Sequence, residues 1–161
     1  GGCSLTAIKN GEAVDTSMGH TPLEGLAMMT RSGDVDPGVV LELAKNEGLK
    51  KTDNLLNKKS GMAGMAGTQN MLEVIQDAES GDKKAKLALE VFTYRVKKYI
   101  SSYYGVLGGV DIICFTGSIG NGHPKTREMI LEGLPFANKE KVVKVEPNEE
   151  LAIYQKVKKL V

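Results

Sequence analysis

Leu89, Phe92, Val96, Tyr99 and Tyr103 recur at intervals of three and four within residues 83–104, a pattern that predicts a long helix with one apolar stripe. Lys97 and Lys98 fall off that stripe and read as a solvated face. Nearer the N-terminus, β-prone runs flank Asn10-Gly11, the strongest two-residue hairpin pattern, so residues 4–17 predict two antiparallel strands. A short helical stretch is expected around Leu23 to Met29, among glycines that break it. Asp36 then Pro37 supplies an N-cap and a first-turn residue, and Val40, Leu43 and Ala44 keep helical spacing as far as Glu47-Gly48. Shorter helices are expected over 53–59 and 70–79. Between them, Gly61, Gly64 and Gly67 punctuate an uncharged stretch that predicts a loop or tight helical turn, its backbone close to another segment.

Gly108-Gly109 closes the long helix, and Val110-Asp-Ile-Ile-Cys-Phe-Thr116 is a short apolar run of the kind buried in parallel sheets. Residues 117–122, Gly-Ser-Ile-Gly-Asn-Gly, form a predicted turn, and His123-Pro124 leads into a helix over 125–134. Residues 141–145 alternate apolar and charged as a last strand, and Pro147-Asn148-Glu149-Glu150 opens a final helix to Val161. This alternation of strand and helix implies an α/β domain whose sheet is at least partly parallel.

Composition narrows the class without naming a function. The chain has 161 residues, 41% hydrophobic and 25% charged, as expected of one soluble globular domain. Its formal net charge of +1 argues against a nucleic-acid binder that relies on bulk charge. No apolar run approaches the roughly 18 residues that would suggest a membrane span. Gly1-Gly2-Cys3-Ser4 offers neither the basic nor the apolar region of a secretory signal. Cys3 and Cys114 lie far apart without metal-ligand spacing, so a reducing, cytoplasmic compartment is expected. Gly1-Gly2 falls in mid-motif, which predicts a piece of a longer protein.

The strand, glycine-rich turn and helix over 110–134 would set free backbone N–H groups at a helix start, where phosphate binds well. Two familiar phosphate loops fail on spacing. Lys125-Thr126 follows Pro124 where a P-loop needs glycine, and Gly117, Gly120 and Gly122 give G-x-x-G-x-G rather than G-x-G-x-x-G. A plain turn and a phosphate cradle both remain open there. Arg31, in Thr30-Arg-Ser-Gly-Asp-Val-Asp36, is either a phosphoryl-binding guanidinium or a partner of Asp34 or Asp36. Glu149 and Glu150 either cap the final helix or hold Mg²⁺. His20 and His123 read as satisfied loop histidines, and Met62 and Met65 as packing residues.

Several segments together resemble the acetate and propionate kinases, in order along nearly the whole chain. They are Gly2-Cys-Ser-Leu-Thr-Ala-Ile-Lys-Asn-Gly, Asp15-Thr-Ser-Met-Gly-His-Thr-Pro-Leu-Glu-Gly-Leu, Thr30-Arg-Ser-Gly-Asp-Val-Asp-Pro, Asn57-Lys-Lys-Ser-Gly, Phe115-Thr-Gly-Ser-Ile-Gly and Pro147-Asn-Glu-Glu-Leu-Ala-Ile. The resemblance implies a ribonuclease-H-like, actin-like ATPase fold, a mixed sheet flanked by helices. Residues 1–161 would then be the single C-terminal, nucleotide-side domain of a carboxylate kinase, its N-terminal domain absent. It also implies ATP + acetate ⇌ ADP + acetyl phosphate with Mg²⁺, acetate or propionate as acceptor, and a homodimer. By motif, Arg31 resembles the arginine that stabilises the transferring phosphoryl group, and Glu149 the Mg²⁺-associated glutamate. Gly2 falls in a phosphate-contacting turn, and Gly117, Ser118, Ile119 and Gly120 in the loop against nucleotide. Pro22 resembles a wall of the small pocket for the acyl methyl group.

The chain also departs from the family pattern His-Leu-Gly-Asn-Gly, since the histidine is missing and Gly1 stands where asparagine is expected. Met71-Leu72-Glu73 replaces the Asp-Phe-Arg beside adenine, and Ser118 replaces a glycine of Ala-Gly-Ile-Gly-Glu-Asn. These departures keep two alternatives in view: another phosphoryl donor such as pyrophosphate, or a non-catalytic nucleotide-binding or dimerisation module.

Overall fold

The computed structural model describes residues 1–160, and the expected end of the final helix at Val161 lies outside the described residues. The hairpin forms as β1 (Thr6–Lys9) and β2 (Glu12–Thr16), antiparallel, with a register shift between Ala7 and Ile8. Asn10 and Gly11 both take positive φ, 54° and 84°, which matches the turn to the right-handed twist of its strands.

Asp36 caps α1 (Pro37–Glu47) by accepting the Gly38 N–H, and Gly48 separates it from α2 (Leu49–Lys58), which starts four residues before the expected 53. The glycine-punctuated stretch is a short helix, α3 (Gly61–Ala66). Its close approach is to the loop that precedes α1: a Cβ on Gly61 would lie 2.0 Å from the Met28 carbonyl oxygen. Asn70 caps α4 (Met71–Glu79) and Asp82 caps α5 (Lys83–Leu107), which runs three residues beyond the expected 104.

Helix α5 is the axis of the core. Leu89, Phe92, Val96, Ile100 and Tyr103 are buried along it, and the helix packs against α3, α4, β1 and α7 (Pro124–Leu131). Lys98 is exposed and Lys97 half-buried, in keeping with a solvated face. Met62, Val74, Ile75, Phe115 and Ile130 belong to the same buried cluster as Phe92. At the size of these side chains, each burial contributes about 1.5–3 kcal/mol.

β3 (Ile113–Phe115) and β4 (Val142–Lys144) pair in parallel, as the alternating pattern implied. The strands form two separate two-stranded sheets rather than one. The expected turn at 117–122 begins with a single helical turn, α6 (Gly117–Gly120). Glu149–Lys158 forms α8, capped by Asn148 and without a buried residue.

The helix expected around Leu23 to Met29 does not form: residues 17–36 hold no helix or strand. Leu26, Ala27, Met28 and Met29 are nevertheless buried. Their backbone is satisfied across space instead of within a helix, through Met62 N–H to Met28 O (2.9 Å), Ala63 N–H to Met29 O (2.9 Å) and Asp34 N–H to Gly25 O (2.9 Å). Gly25 (φ +99°) and Gly33 (φ +68°) hold conformations closed to other residues at this packing, since a Cβ on Gly25 would meet the Ser17 carbonyl oxygen at 2.1 Å. Tertiary hydrogen bonds thus override the local helical spacing.

Two glycine substitutions separate close approach from backbone strain. Gly61→Ala, at φ +61° and against the Met28 carbonyl, should cost more than about 2 kcal/mol in urea unfolding. Gly81→Ala, at φ +96° with open space around it, should cost about 1 kcal/mol, and equal losses at both positions would refute the close-approach account.

Candidate functional site

Arg31 projects from the buried loop between Met29 and Ser32, and its main chain is pinned on both sides. The Arg31 carbonyl accepts from Met28 N–H (3.0 Å), Ser32 N–H donates to Leu56 O (3.0 Å), and the Thr30 hydroxyl donates to Asn57 O (2.9 Å). The side chain is half-buried. Its Nη1 lies 3.7 Å from the Met28 sulfur, a weak acceptor, and would be 3.6 Å from a Cβ on Gly2. Among the described residues Arg31 forms no salt bridge.

The carboxylates that could have claimed Arg31 are engaged elsewhere. Asp36 caps α1. Asp34 accepts the Gly25 N–H at Oδ1 (2.8 Å) and the Tyr99 hydroxyl at Oδ2 (2.9 Å), and that same Oδ2 lies 3.6 Å from Arg95 Nη1. Arg95 Nη2 also donates to the Asp34 carbonyl (3.2 Å). Arg31 therefore keeps most of its fork of donors free for an anion. Arg31 and Gly2, chosen separately from the sequence, are brought side by side.

The second group of expected residues gathers at the turn after β3. Gly117 has φ +72° with open space on its Cβ side, Ser118 is exposed, and Ile119 is half-buried against the core. Behind it, Arg127 Nη1 of α7 donates to the carbonyls of Gly120 (2.9 Å) and Gly122 (2.8 Å). Asn121 Nδ2 donates to Val145 O (2.8 Å), tying this turn to the segment that leads into α8. Asn121 Oδ1 is buried and has no hydrogen-bond partner among the described residues. Glu149 is exposed in the first turn of α8.

No hydrogen bond or ion pair among the described residues joins this turn to the Arg31–Gly2 group. Pro22 is exposed on the turn after β2, next to but not lining a groove of mixed character whose walls include Leu23, Val35 and Leu56 with Glu24, Ser32 and Asp34. Among the described residues no group of three His, Cys, Asp or Glu side chains could hold a metal ion. A single carboxylate such as Glu149 still suits Mg²⁺, which is held mostly by phosphate oxygens and water. His123 caps α7 by accepting the Lys125 N–H (3.3 Å), and His20 is exposed. Burial pushes the Cys3 thiol up to about 11, away from nucleophilic use.

Asp34 is a candidate partner of Arg31 in the sequence, whereas the structure pairs it with Arg95 and Tyr99; no sequence pattern assigned a site role to Arg95, Tyr99 or Arg127. Tyr99 was absorbed into the apolar stripe, and only its hydroxyl, at the polar edge of that stripe, distinguished it from a packing residue. Arg127 carried no pattern that set it apart.

The acetokinase family model matches residues 1–155. The acetate kinase of Dictyoglomus turgidum is 52% identical over 136 residues, which is 83% of this chain and 34% of that protein. That of Oleidesulfovibrio alaskensis is 45% identical over 168 aligned residues, 99% of this chain and 42% of its own. The crystal structure of Porphyromonas gingivalis acetate kinase superposes with a TM-score of 0.90 at 37% identity, covering 96% of this chain and 45% of that one. This chain therefore spans about a third to two-fifths of the length of those curated relatives, and it has the fold of that part of an actin-like ATPase.

Titration follows from the contacts of Asp34. Burial first, then the hydrogen bond and charge of Asp34, push the Tyr99 hydroxyl up to about 12 from 10.0. Burial and Asp15, whose Oδ1 accepts from the Tyr103 hydroxyl (3.4 Å), push Tyr103 to about 12 as well. Above pH 10 the unfolded chain loses phenolic protons that the folded chain keeps, so their stabilisation is complete below pH 10 and is lost as pH rises toward 12. Denaturation midpoints should fall across that window, and Tyr99→Phe should flatten the decline; a midpoint independent of pH there would contradict the assignment.

Proposed function

Because the chain belongs to the acetokinase family, we propose that it is the C-terminal, nucleotide-side domain of a carboxylate kinase catalysing ATP + acetate ⇌ ADP + acetyl phosphate. The observation that carries this reading is the unpaired, half-buried Arg31 guanidinium beside Gly2. A carboxylate oxygen of acetate, or of propionate, attacks the γ-phosphorus of ATP in line. The bond from that phosphorus to the β–γ bridging oxygen breaks, and ADP leaves with the electron pair.

Such a transfer spreads charge over the three equatorial oxygens of the phosphoryl group, and positioning with charge stabilisation does most of the catalysis. Arg31, the catalytic residue, meets that charge with a planar fork of donors from a backbone that cannot follow or retreat. Gly2 leaves the approach clear. Gly117, Ser118, Ile119 and Gly120 would form the loop that meets the nucleotide, and Glu149 would hold Mg²⁺. That ion neutralises phosphate charge when bound. Pro22 would close one side of the acyl pocket. The remaining phosphate and acyl contacts come from an N-terminal domain across the cleft, and the enzyme works as a homodimer in the cytoplasm. No helix among the described residues is long and apolar enough to cross a membrane.

Two measurements test the reading. The isolated 161-residue chain should show no turnover in a hydroxamate assay with acetate and ATP, because half of the cleft is lacking, and robust turnover would overturn the two-domain account. In the two-domain enzyme, Arg31→Ala should remove about 3 kcal/mol or more of transition-state stabilisation, a loss of kcat by at least about 10² with nucleotide affinity nearly intact. A large rise in nucleotide Kd with kcat unchanged would assign Arg31 to ground-state binding.

A further inference from the structure

We propose that Arg95 and Tyr99 of α5 are positioning residues for Arg31, acting through Asp34; the inference rests on the kinase reading of Arg31. Arg95 and Tyr99 stand four residues apart, on one face of α5, and Tyr103 continues the same row toward Asp15. Tyr99 and Tyr103 support each other edge to face, with ring centroids 5.9 Å apart. The row thus grips the loop that carries Arg31 at Asp34 and the hairpin at Asp15. Met18, three residues beyond Asp15, has its terminal methyl within 4.0 Å of the position a Gly2 Cβ would take. Both grips flank the place where Arg31 and Gly2 meet.

The grip has two physical effects. First, Asp34 is held through its carboxylate, its N–H and its carbonyl at once, so the loop three residues from Arg31 has little freedom left. A guanidinium must sit within about half an ångström of its working place to favour a transition state over a ground state. Second, Arg95 and the Tyr99 hydroxyl occupy the carboxylate of Asp34. Without them that carboxylate, on the same short loop, becomes a competitor for Arg31, and an internal ion pair would take up the donors that the phosphoryl group needs.

A purely structural role would lower stability and leave each folded molecule as active as before. Tyr99→Phe keeps the ring in the core and removes only the hydroxyl, Arg95→Ala removes the cation, and Arg95→Lys restores a cation without the fork. In the two-domain enzyme, Tyr99→Phe and Arg95→Ala should lower kcat at least about tenfold with the KM for ATP within about twofold, and Arg95→Lys should recover part of the loss. In the 161-residue chain the same two substitutions should speed amide hydrogen exchange at Ser32 and Asp34, whose N–H groups donate to Leu56 and Gly25, while Val74 and Phe92 keep their rates.

Unchanged exchange at Ser32 and Asp34, or a lower melting temperature with kcat untouched, overturns the proposal. A wild-type two-domain enzyme that phosphorylates no short carboxylate overturns the kinase reading, and the positioning role with it. The exchange measurement then still reports whether the grip on the loop exists.

Discussion

The backbone of residues 25–34 crosses the interior without helix or strand, and the rest of the site depends on where its hydrogen bonds go. A buried amide left without a partner costs about 1–3 kcal/mol, so an irregular segment at this depth survives only if its neighbours supply acceptors and donors. Here the amides at the start of α3 take the carbonyls of Met28 and Met29, Thr30 and Ser32 bond the end of α2, and Asp34 pairs with Gly25. Glycine at positions 25, 33 and 61 is what lets these chains approach closely enough. The consequence is a loop as fixed as a strand, with one long cationic side chain leaving it.

Charge distribution then decides which arginine is free. The chain as a whole is nearly neutral, so any pull on an anion is local rather than a field of the whole surface. Two arginines lie within reach of the 30–36 loop. Arg95 is held by both the carboxylate and the carbonyl of Asp34, whereas Arg31 faces a thioether and a glycine. Since sulfur is a weak acceptor, Arg31 is packed without being satisfied. A partly exposed ion pair such as Arg95–Asp34 adds little to stability, about 0–1 kcal/mol, so its effect on the geometry around Arg31 outweighs its effect on the fold.

Stability is concentrated in a small part of the chain. The α3, α4, α5 and α7 helices and the Phe115 strand supply most of the buried apolar side chains, and the 26–29 loop supplies Leu26, Ala27, Met28 and Met29. β2 and α8 contribute none, and Val14, Ile153, Tyr154 and Leu160 are among the exposed apolar residues. A two-stranded sheet is marginal by itself, so the hairpin and the β3–β4 pair depend on the flank of α5 for their place. One 25-residue helix therefore packs against the hairpin and α7 and holds the Arg31 loop through Arg95 and Tyr99.

Elements whose cause is local were legible in the residues themselves. Asn10-Gly11 set the hairpin, Asp36-Pro37 and Asn70 set helix starts, the three- and four-residue spacing set α5, and β-branched runs set the parallel pair β3 and β4. The motifs around Arg31, Gly2, Gly117–Gly120 and Glu149 were legible too, because each is a contiguous string. The path of residues 23–29 was not: their spacing favours a helix, and only the bonds to α3 and the close pass at Gly25 make an irregular route cheaper. Nor could any string show that Asp34 turns to Arg95 and Tyr99 across more than sixty residues of chain and so leaves Arg31 without a partner. Propensity and capping act within a few residues and can be read in order; the choice among competing charged partners is made by distance in space, which exists only once the core has closed.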